Sequence, residues 1–251
     1  MAEKNYNEPL IKINMSLKDL LKKTCIYKAY NKKQLEQIAY ETEIRKKYFK
    51  DEADLMLRKF TESLNSAGIK FWLDFGTLLG FYREHDFIKH DCDLDFGVML
   101  KDADRVKVAL ENNGFKRISL FKSSDGGIEE CYKFMHTSLD IFYFREEDNR
   151  LYCNTFVCLS KFTFKRIFSF NNKIPCSVKK IYIPNNGFSE TEYKGCKVGI
   201  PNNIREHLEL HYGKSFMTPD PNFDYKKVAT NIIYYKLSEV SGYLQQFGNK
   251  V

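Results

Sequence analysis

The sequence predicts an α+β fold with a helical N-terminal extension, and three of its features carry that prediction. Apolar residues recur at every third or fourth position up to about Gly68. Beyond Gly68 the period shortens to two, beginning in the run KFWLDF at 70–75. After that, aromatic strand-like runs alternate with glycine-marked turns and short helical patterns. The chain has 251 residues, 43% apolar and 29% charged, enough to bury a sizeable core and too apolar for global disorder.

The helical part reads as three pieces: SLKDLLKK from Ser16, KKQLEQIAYETEIRKKYF, and DEADLMLRKFTESLNSAG. Leu55, Leu57, Phe60 and Leu64 give the last piece an inward stripe, with Asp51 or Asp54 in its first turn and Gly68 placed for a left-handed stop. The run KFWLDF then reads as a strand that meets Gly76-Thr77-Leu78-Leu79-Gly80, a glycine turn opening a short helix through Arg83. CDLDFGVML is the next strand, and DADRVKVALENNG is a helix stopped by Gly114. FKRISLFK, EECYKFMH and LDIFYF follow as strands, separated by Gly126-Gly127 and by Thr137-Ser138. KFTFKRIFSF reads as a half-buried strand and IYIPNNGFSETEYKG as a loop-rich segment. Pro201 and the asparagine pair open a helix that Gly213 closes, and ATNIIYYKLSEVSGYLQQF is read as a last amphipathic helix. Three regions are expected: the extension over 1–67, a catalytic core over 68–147, and a C-terminal region over 148–251 that completes the core and the acceptor site.

Composition excludes several classes. No apolar run approaches the roughly 18 residues of a membrane span, and the mean hydropathy is -0.48. The opening residues carry charges and a proline where a signal peptide needs an apolar centre, so the expectation is a cytoplasmic protein. Seven scattered cysteines, an odd number without paired short spacings, read as reduced thiols. A formal charge of +7 favours anionic partners without choosing among them.

The densest chemistry is Asp91-Cys92-Asp93-Leu94-Asp95. On a strand, residues two apart share a face, so Asp91, Asp93 and Asp95 crowd negative charge on one side while Cys92, Leu94 and Phe96 pack behind. Carboxylate oxygens are hard ligands suited to Mg2+ or Mn2+, which commonly bridge to substrate phosphates. The same aspartates can instead end an exposed edge strand or hold a structural calcium. Their company favours the metal-nucleotide reading. GTLLG can offer backbone N–H groups to a phosphate, Arg83 can add a two-pronged clamp, and Asp140 interrupts an apolar aromatic strand.

The string FWLDF-GTLLG-FYR at 71–83, then HDCDLDFGV, then LDIFYF, resembles the LicD and fukutin-type phosphotransferases of the polymerase-beta-like nucleotidyltransferase superfamily. The likeness is densest from Phe71 to Met99, continues through Asp140 and resumes at His211-Tyr212-Gly213. It implies a nucleotidyltransferase-like mixed sheet with flanking helices that binds a CDP-activated alcohol through Mg2+ or Mn2+. By this resemblance Asp93 and Asp95 match the metal-binding pair, Asp140 the third carboxylate, and Asp91 an accessory acid. Gly76, Thr77 and Arg83 fall on the phosphate-holding turn and its helix. His90, standing where the family often has an aromatic residue, is assigned to substrate binding, and Cys92 replaces an acid of many bacterial members.

The expected activity is transfer of a phospho-alcohol, such as phosphocholine or ribitol phosphate, to a sugar hydroxyl of a surface-glycan precursor, with release of CMP. The expected partners are the donor and a glycan or lipid-linked glycan acceptor, with peripheral contact at the inner membrane face and no stable nucleic-acid complex. Two alternatives stay open: a nucleotidyltransferase that attaches the NMP itself and releases pyrophosphate, and a non-catalytic nucleic-acid-binding protein with steep salt dependence. His207 and His211 stand four apart on a helix without the glutamate of a zinc-protease motif, so they read as a helix face near its C-terminus.

Overall fold

The computed structural model describes residues 25–158, 173–220, 223–236 and 238–247. The SLKDLLKK and KFTFKRIFSF segments lie outside them. Chain contacts divide the protein into Met1–Ile44 and Arg45–Val251. In the first unit the described residues are helical, with Ile38, Tyr40 and Ile44 exposed.

The two later helical pieces form one helix, α1 (Cys25–Ser66), so Asp51 and Asp54 lie mid-helix and not in a first turn. Within the second unit its inward face is Phe49, Ala53, Met56, Leu57, Phe60 and Leu64. Leu55, expected in that stripe, is 42% exposed, and Met56 takes the inward place. Spacings of three and four from Ala53 to Leu64 point one way, and Leu55 falls off that arc. Phe60 stacks on Phe96 at 3.8 Å between ring centroids. Gly68, with φ of 62°, ends the helix as expected.

The main sheet of the described residues is mixed and nine-stranded. Its strands are β1 (Phe71–Leu73), β2 (Asp93–Met99), β3 (Lys116–Ser123), β4 (Ile128–Phe134), β5 (Thr137–Glu147), β6 (Arg150–Cys158), β7 (Lys173–Pro184), β10 (Ile232–Tyr234) and β11 (Gly242–Gln246). β8 (Phe188–Tyr193) and β9 (Cys196–Pro201) form a separate hairpin. The order runs β1-β2-β5-β4-β3-β11-β7-β10, and β6 pairs with both β5 and β7, so the pairings close a ring. β2 and β5 are parallel and every other pair is antiparallel. Leu94, Phe96 and Val98 on β2, with Leu139, Ile141 and Tyr143 on β5, face the α1 core. The alternate residues of the same strands face the other way, where Phe142 and Phe144 pack with Trp72.

The helices are α2 (Phe75–Leu79), continuing as a π turn through Glu84, α3 (Ala103–Asn112), α4 (Ile204–Tyr212) and α5 (Tyr225–Val228). α3 and α4 stop at Gly114 and Gly213 as expected, both with positive φ. Several expectations are corrected. The chain turns at Phe75, with φ of 39°, and not at Gly76, because Asp74 caps the helix one residue earlier than the glycine suggests. Thr137 and Ser138 are already strand, the turn falling at Met135. The loop-rich segment is the end of β7 and the β8–β9 hairpin, whose two-residue turn, Lys194-Gly195, has positive φ at both positions. The last amphipathic helix is instead β10 and β11. Their pairing with β7 and β3 overrides a helical spacing, and a Cβ at Gly242 would lie 2.7 Å from Val178 Cγ2, a close approach made by a strand.

Two predictions arise from this framework. A Cβ at Gly97 would lie 2.2 Å from the ring of Trp72, whose Nε1 donates to buried Asp74. Gly97→Ala is therefore expected to lose about 1–3 kcal/mol of stability, read as a lower urea midpoint. Glu52 accepts from the His136 backbone N–H and the Thr137 hydroxyl and pairs with His136 Nδ1 at 2.7 Å, fastening α1 to the start of β5. Burial pushes its carboxyl up, but these bonds outweigh burial and hold it below the ordinary 4.5. A depressed carboxylate stabilises the fold above its unfolded value and loses that contribution as pH falls through the folded one. The melting-temperature advantage of the native chain over Glu52→Gln should be full at pH 6 and shrink below pH 4.5.

Candidate active site

Asp93 and Asp95 project from the face of β2 opposite Leu94 and Phe96. In the parallel register Asp95 stands beside Asp140 and Asp93 beside Ser138, so three carboxylates share one face of two neighbouring strands. Asp91 lies in the loop before β2, its N–H donating to the Ile88 carbonyl at 3.0 Å. It nevertheless reaches the same place: a Cβ on Gly76 would sit 3.0 Å from Asp91 Oδ2 and 3.1 Å from Asp95 Oδ2.

The electrostatics follow from this crowding. Burial, then the charges of Asp93, Asp140 and Asp91, push Asp95 well above the carboxylate range. Burial and Asp93 push Asp140 up to about 7, against the S–H of Cys131, which donates to it, and against Arg45. Asp91 is pushed up to about 7 by burial and Asp93, against Arg83. Burial also raises Asp93, although the Arg45 Nη2 pairs with its Oδ2 at 2.8 Å and reaches Ser138 Oγ at 3.4 Å.

The proposed phosphate-holding residues are placed against the acids. Gly76 N–H donates to Asp95 Oδ2 at 3.0 Å, and the buried Thr77 hydroxyl accepts the Asp95 N–H at 2.7 Å. Both therefore fix the position of Asp95. Arg83 donates through Nη1 to the Phe216 carbonyl and through Nε to Glu84, and its charge acts on Asp91. His90, next in sequence to Asp91, is exposed.

Two features of the site, the reach of Arg45 to the acids and the meeting of Asp74 with His207 and His211, are absent from the sequence reading. Arg45 lies on α1, 48 residues from Asp93, and nothing in its basic stretch sets it apart from its neighbours. Asp74, His207 and His211, all buried, are brought within 4.8 Å of one another by their possible ligand atoms. Asp74 Oδ1 accepts the Phe75 N–H at 2.8 Å and faces His207 Nε2 at 2.8 Å, while Oδ2 accepts from Trp72 at 3.1 Å. Burial raises this carboxyl but the histidines and the cap hold it below 3.8. With both oxygens already engaged, the cluster works as a clamp between α2 and α4. The acid row, whose carboxylates press on one another, has the stronger chemical demand for a divalent ion. The histidine pair lies on a helix face near its C-terminus, as expected from sequence, and the structure adds that this face is a buried anchor; an aspartate closing a strand before a helix, followed far on by histidines four apart, is the signal it leaves.

Compared with known proteins, residues 68–203 match the family model described as LicD/FKTN/FKRP, nucleotidyltransferase domain. The chain is similar to the Homo sapiens protein named ribitol-5-phosphate transferase FKTN, at 26% identity over 186 residues, 73% of this chain and 37% of that one. The Mus musculus counterpart is 25% identical over 200 residues, 79% of this chain and 40% of that one. Uncharacterized protein RP689 of Rickettsia prowazekii is 33% identical over 100 residues, 39% of this chain and 36% of that one. The chain thus spans well under half the length of these relatives. The solved structure of the lincosamide antibiotic adenylyltransferase LnuA, lincomycin-bound, aligns with a TM-score of 0.38 and 17% identity, over 61% of this chain and 86% of that one.

Proposed function

Because the chain belongs to the LicD/FKTN/FKRP nucleotidyltransferase-domain family, we propose that it transfers a phospho-alcohol from a CDP-activated donor to a sugar hydroxyl of a glycan precursor, with CMP as the leaving group. The observation that carries the reading is the register of β2 and β5, which sets Asp93, Asp95 and Asp140 side by side inside the matched residues. Ribitol phosphate is the first cargo to try, since the similar FKTN proteins are named for its transfer.

Asp93, Asp95 and Asp140 would hold Mg2+ or Mn2+, with Asp91 at the rim. The crowded and partly buried carboxylates fit a cation, which when bound draws off negative charge from the phosphoryl oxygens. The chain's own residues do the rest. Gly76 and Thr77 hold Asp95 in place from its side chain and its backbone, and Arg45 holds Asp93. Asp140 orients the acceptor hydroxyl by accepting its hydrogen bond. In this reading residues 68–147 carry catalysis, 148–251 complete the core and the acceptor site, and the helical extension over 1–67 lends Arg45. We place the reaction in the cytoplasm, at the inner membrane face where the acceptor is lipid-linked; none of the described helices is long and apolar enough to cross a membrane.

Calorimetry tests the metal requirement. CDP-ribitol is expected to bind in Mg2+ and to lose at least about tenfold in affinity with EDTA, because the acid row and the diphosphate otherwise repel. Equal affinity in both would sink the metal-platform reading.

A further inference from the structure

β6 pairs antiparallel with β7 from Arg150 to Cys158, and the register sets Cys158, the last residue of β6, directly opposite Cys176. Their sulfurs lie 3.3 Å apart. The other strand cysteines stand opposite other residue types: Cys131 opposite Asp140, Cys153 opposite Ile181 and Cys196 opposite Tyr193. Directly opposed residues of antiparallel strands hold their Cα atoms about 4.5–5.5 Å apart, inside the span of about 4.4–6.8 Å that a disulfide needs. Closing the sulfurs to a bond of about 2.05 Å is thus a matter of side-chain rotation, and the ladder keeps its register.

The surroundings favour the bond and set the order of events. Cys176 is fully buried in a cluster with Ile174 and Leu244, against which Phe156 and the partly exposed Cys158 pack. A disulfide has no donor to satisfy in such an apolar setting, whereas a buried S–H does, and Cys176 turns its own toward the Ile174 carbonyl at 3.4 Å. The hydrogen bond with Cys158 and burial push the Cys176 thiol above its ordinary range. Cys176 is therefore a poor first nucleophile, and Cys158 is the sulfur that an oxidant in solution reaches.

We propose that Cys158 and Cys176 are a modification site, a reversible disulfide that small-molecule disulfides of the glutathione class form and that thiols undo. The Cys158 thiolate attacks one sulfur of the oxidant and releases one small thiol. The Cys176 sulfur, giving up its proton, then displaces the second small thiol from Cys158. Two S–H bonds are lost and one S–S bond is gained, and the two electrons and two protons leave on the two small thiols. The inference stands on β6 and β7 and is independent of the phosphotransfer reading.

The test exposes the native chain to glutathione disulfide, blocks the remaining thiols with iodoacetamide and maps the digest by mass spectrometry. A peptide linked through Cys158 and Cys176 is expected, in a chain that runs as a monomer on a non-reducing gel and has lost two of its seven thiols. The melting temperature should rise by about 5–10 °C, because the bond closes residues 159–175 into a loop of the unfolded chain, and dithiothreitol should reverse the rise. Cys158→Ser, at the partly exposed position, should show neither the link nor the shift, with folding checked by circular dichroism. Cys176→Ala should instead keep one glutathione on Cys158. Glutathione retained on Cys158 of the native chain, a link to any other cysteine, or both thiols still alkylated in the folded protein overturns the proposal. A melting-temperature rise that persists in Cys158→Ser overturns it as well.

Discussion

Asp95→Asn is expected to cost at least about 100-fold in turnover, and Asp93→Asn a comparable loss, because each removes a charge from the row proposed to hold the divalent ion. Asp95 is the more severe of the two. It is the carboxylate most crowded by its neighbours, and the Gly76 N–H and the Thr77 hydroxyl are spent on fixing it. Asp140→Asn should be as inactive yet still bind donor measurably, since its proposed contact falls on the acceptor hydroxyl. Asp91→Asn should be milder, because Asp91 lies outside β2 and answers in part to Arg83. Turnover and donor affinity for all four variants decide this ranking. An inactive Asp91→Asn beside an active Asp93→Asn would mean that the working acids are not the ones aligned with β5.

Gly76→Val should abolish donor binding and turnover while leaving the circular dichroism spectrum unchanged. Gly76 sits in helical backbone at the start of α2, so a side chain there brings no left-handed strain. Its β-carbon, however, would come within 3.0 Å of Asp91 Oδ2 and 3.1 Å of Asp95 Oδ2, with two further methyl groups driven between the carboxylates. The glycine is needed here because the acids approach the backbone and not because the chain turns. Gly76→Ala, with the smallest intrusion, should fall between the native chain and Gly76→Val in donor affinity. Full donor affinity in Gly76→Val would show that this point of the row lies away from the donor.

The acid row was legible in the sequence because it depends on strand alternation, a local property. Asp93 and Asp95 flank Leu94, and one parity sends Leu94 and Phe96 into the core and the aspartates out of it. Asp140 could be singled out by its apolar neighbours alone, although only the parallel register sets it beside Asp95. Arg45 and the convergence of Asp74 with His207 were not legible, since the partners lie 48 and 133 residues apart and meet through packing. The C-terminal strands were misread for a related reason: a short apolar run fits either period, and pairing with β7 and β3 decided it.

The leaving group tests the central claim most directly. CDP-ribitol, a sugar acceptor and Mg2+ are incubated with the native chain and with Asp95→Asn, and the nucleotide products are separated. The account predicts CMP, formed in step with acceptor that has gained ribitol phosphate, from the native chain only and not in EDTA. Pyrophosphate released from a nucleoside triphosphate, with no CMP from any CDP-alcohol, would contradict it.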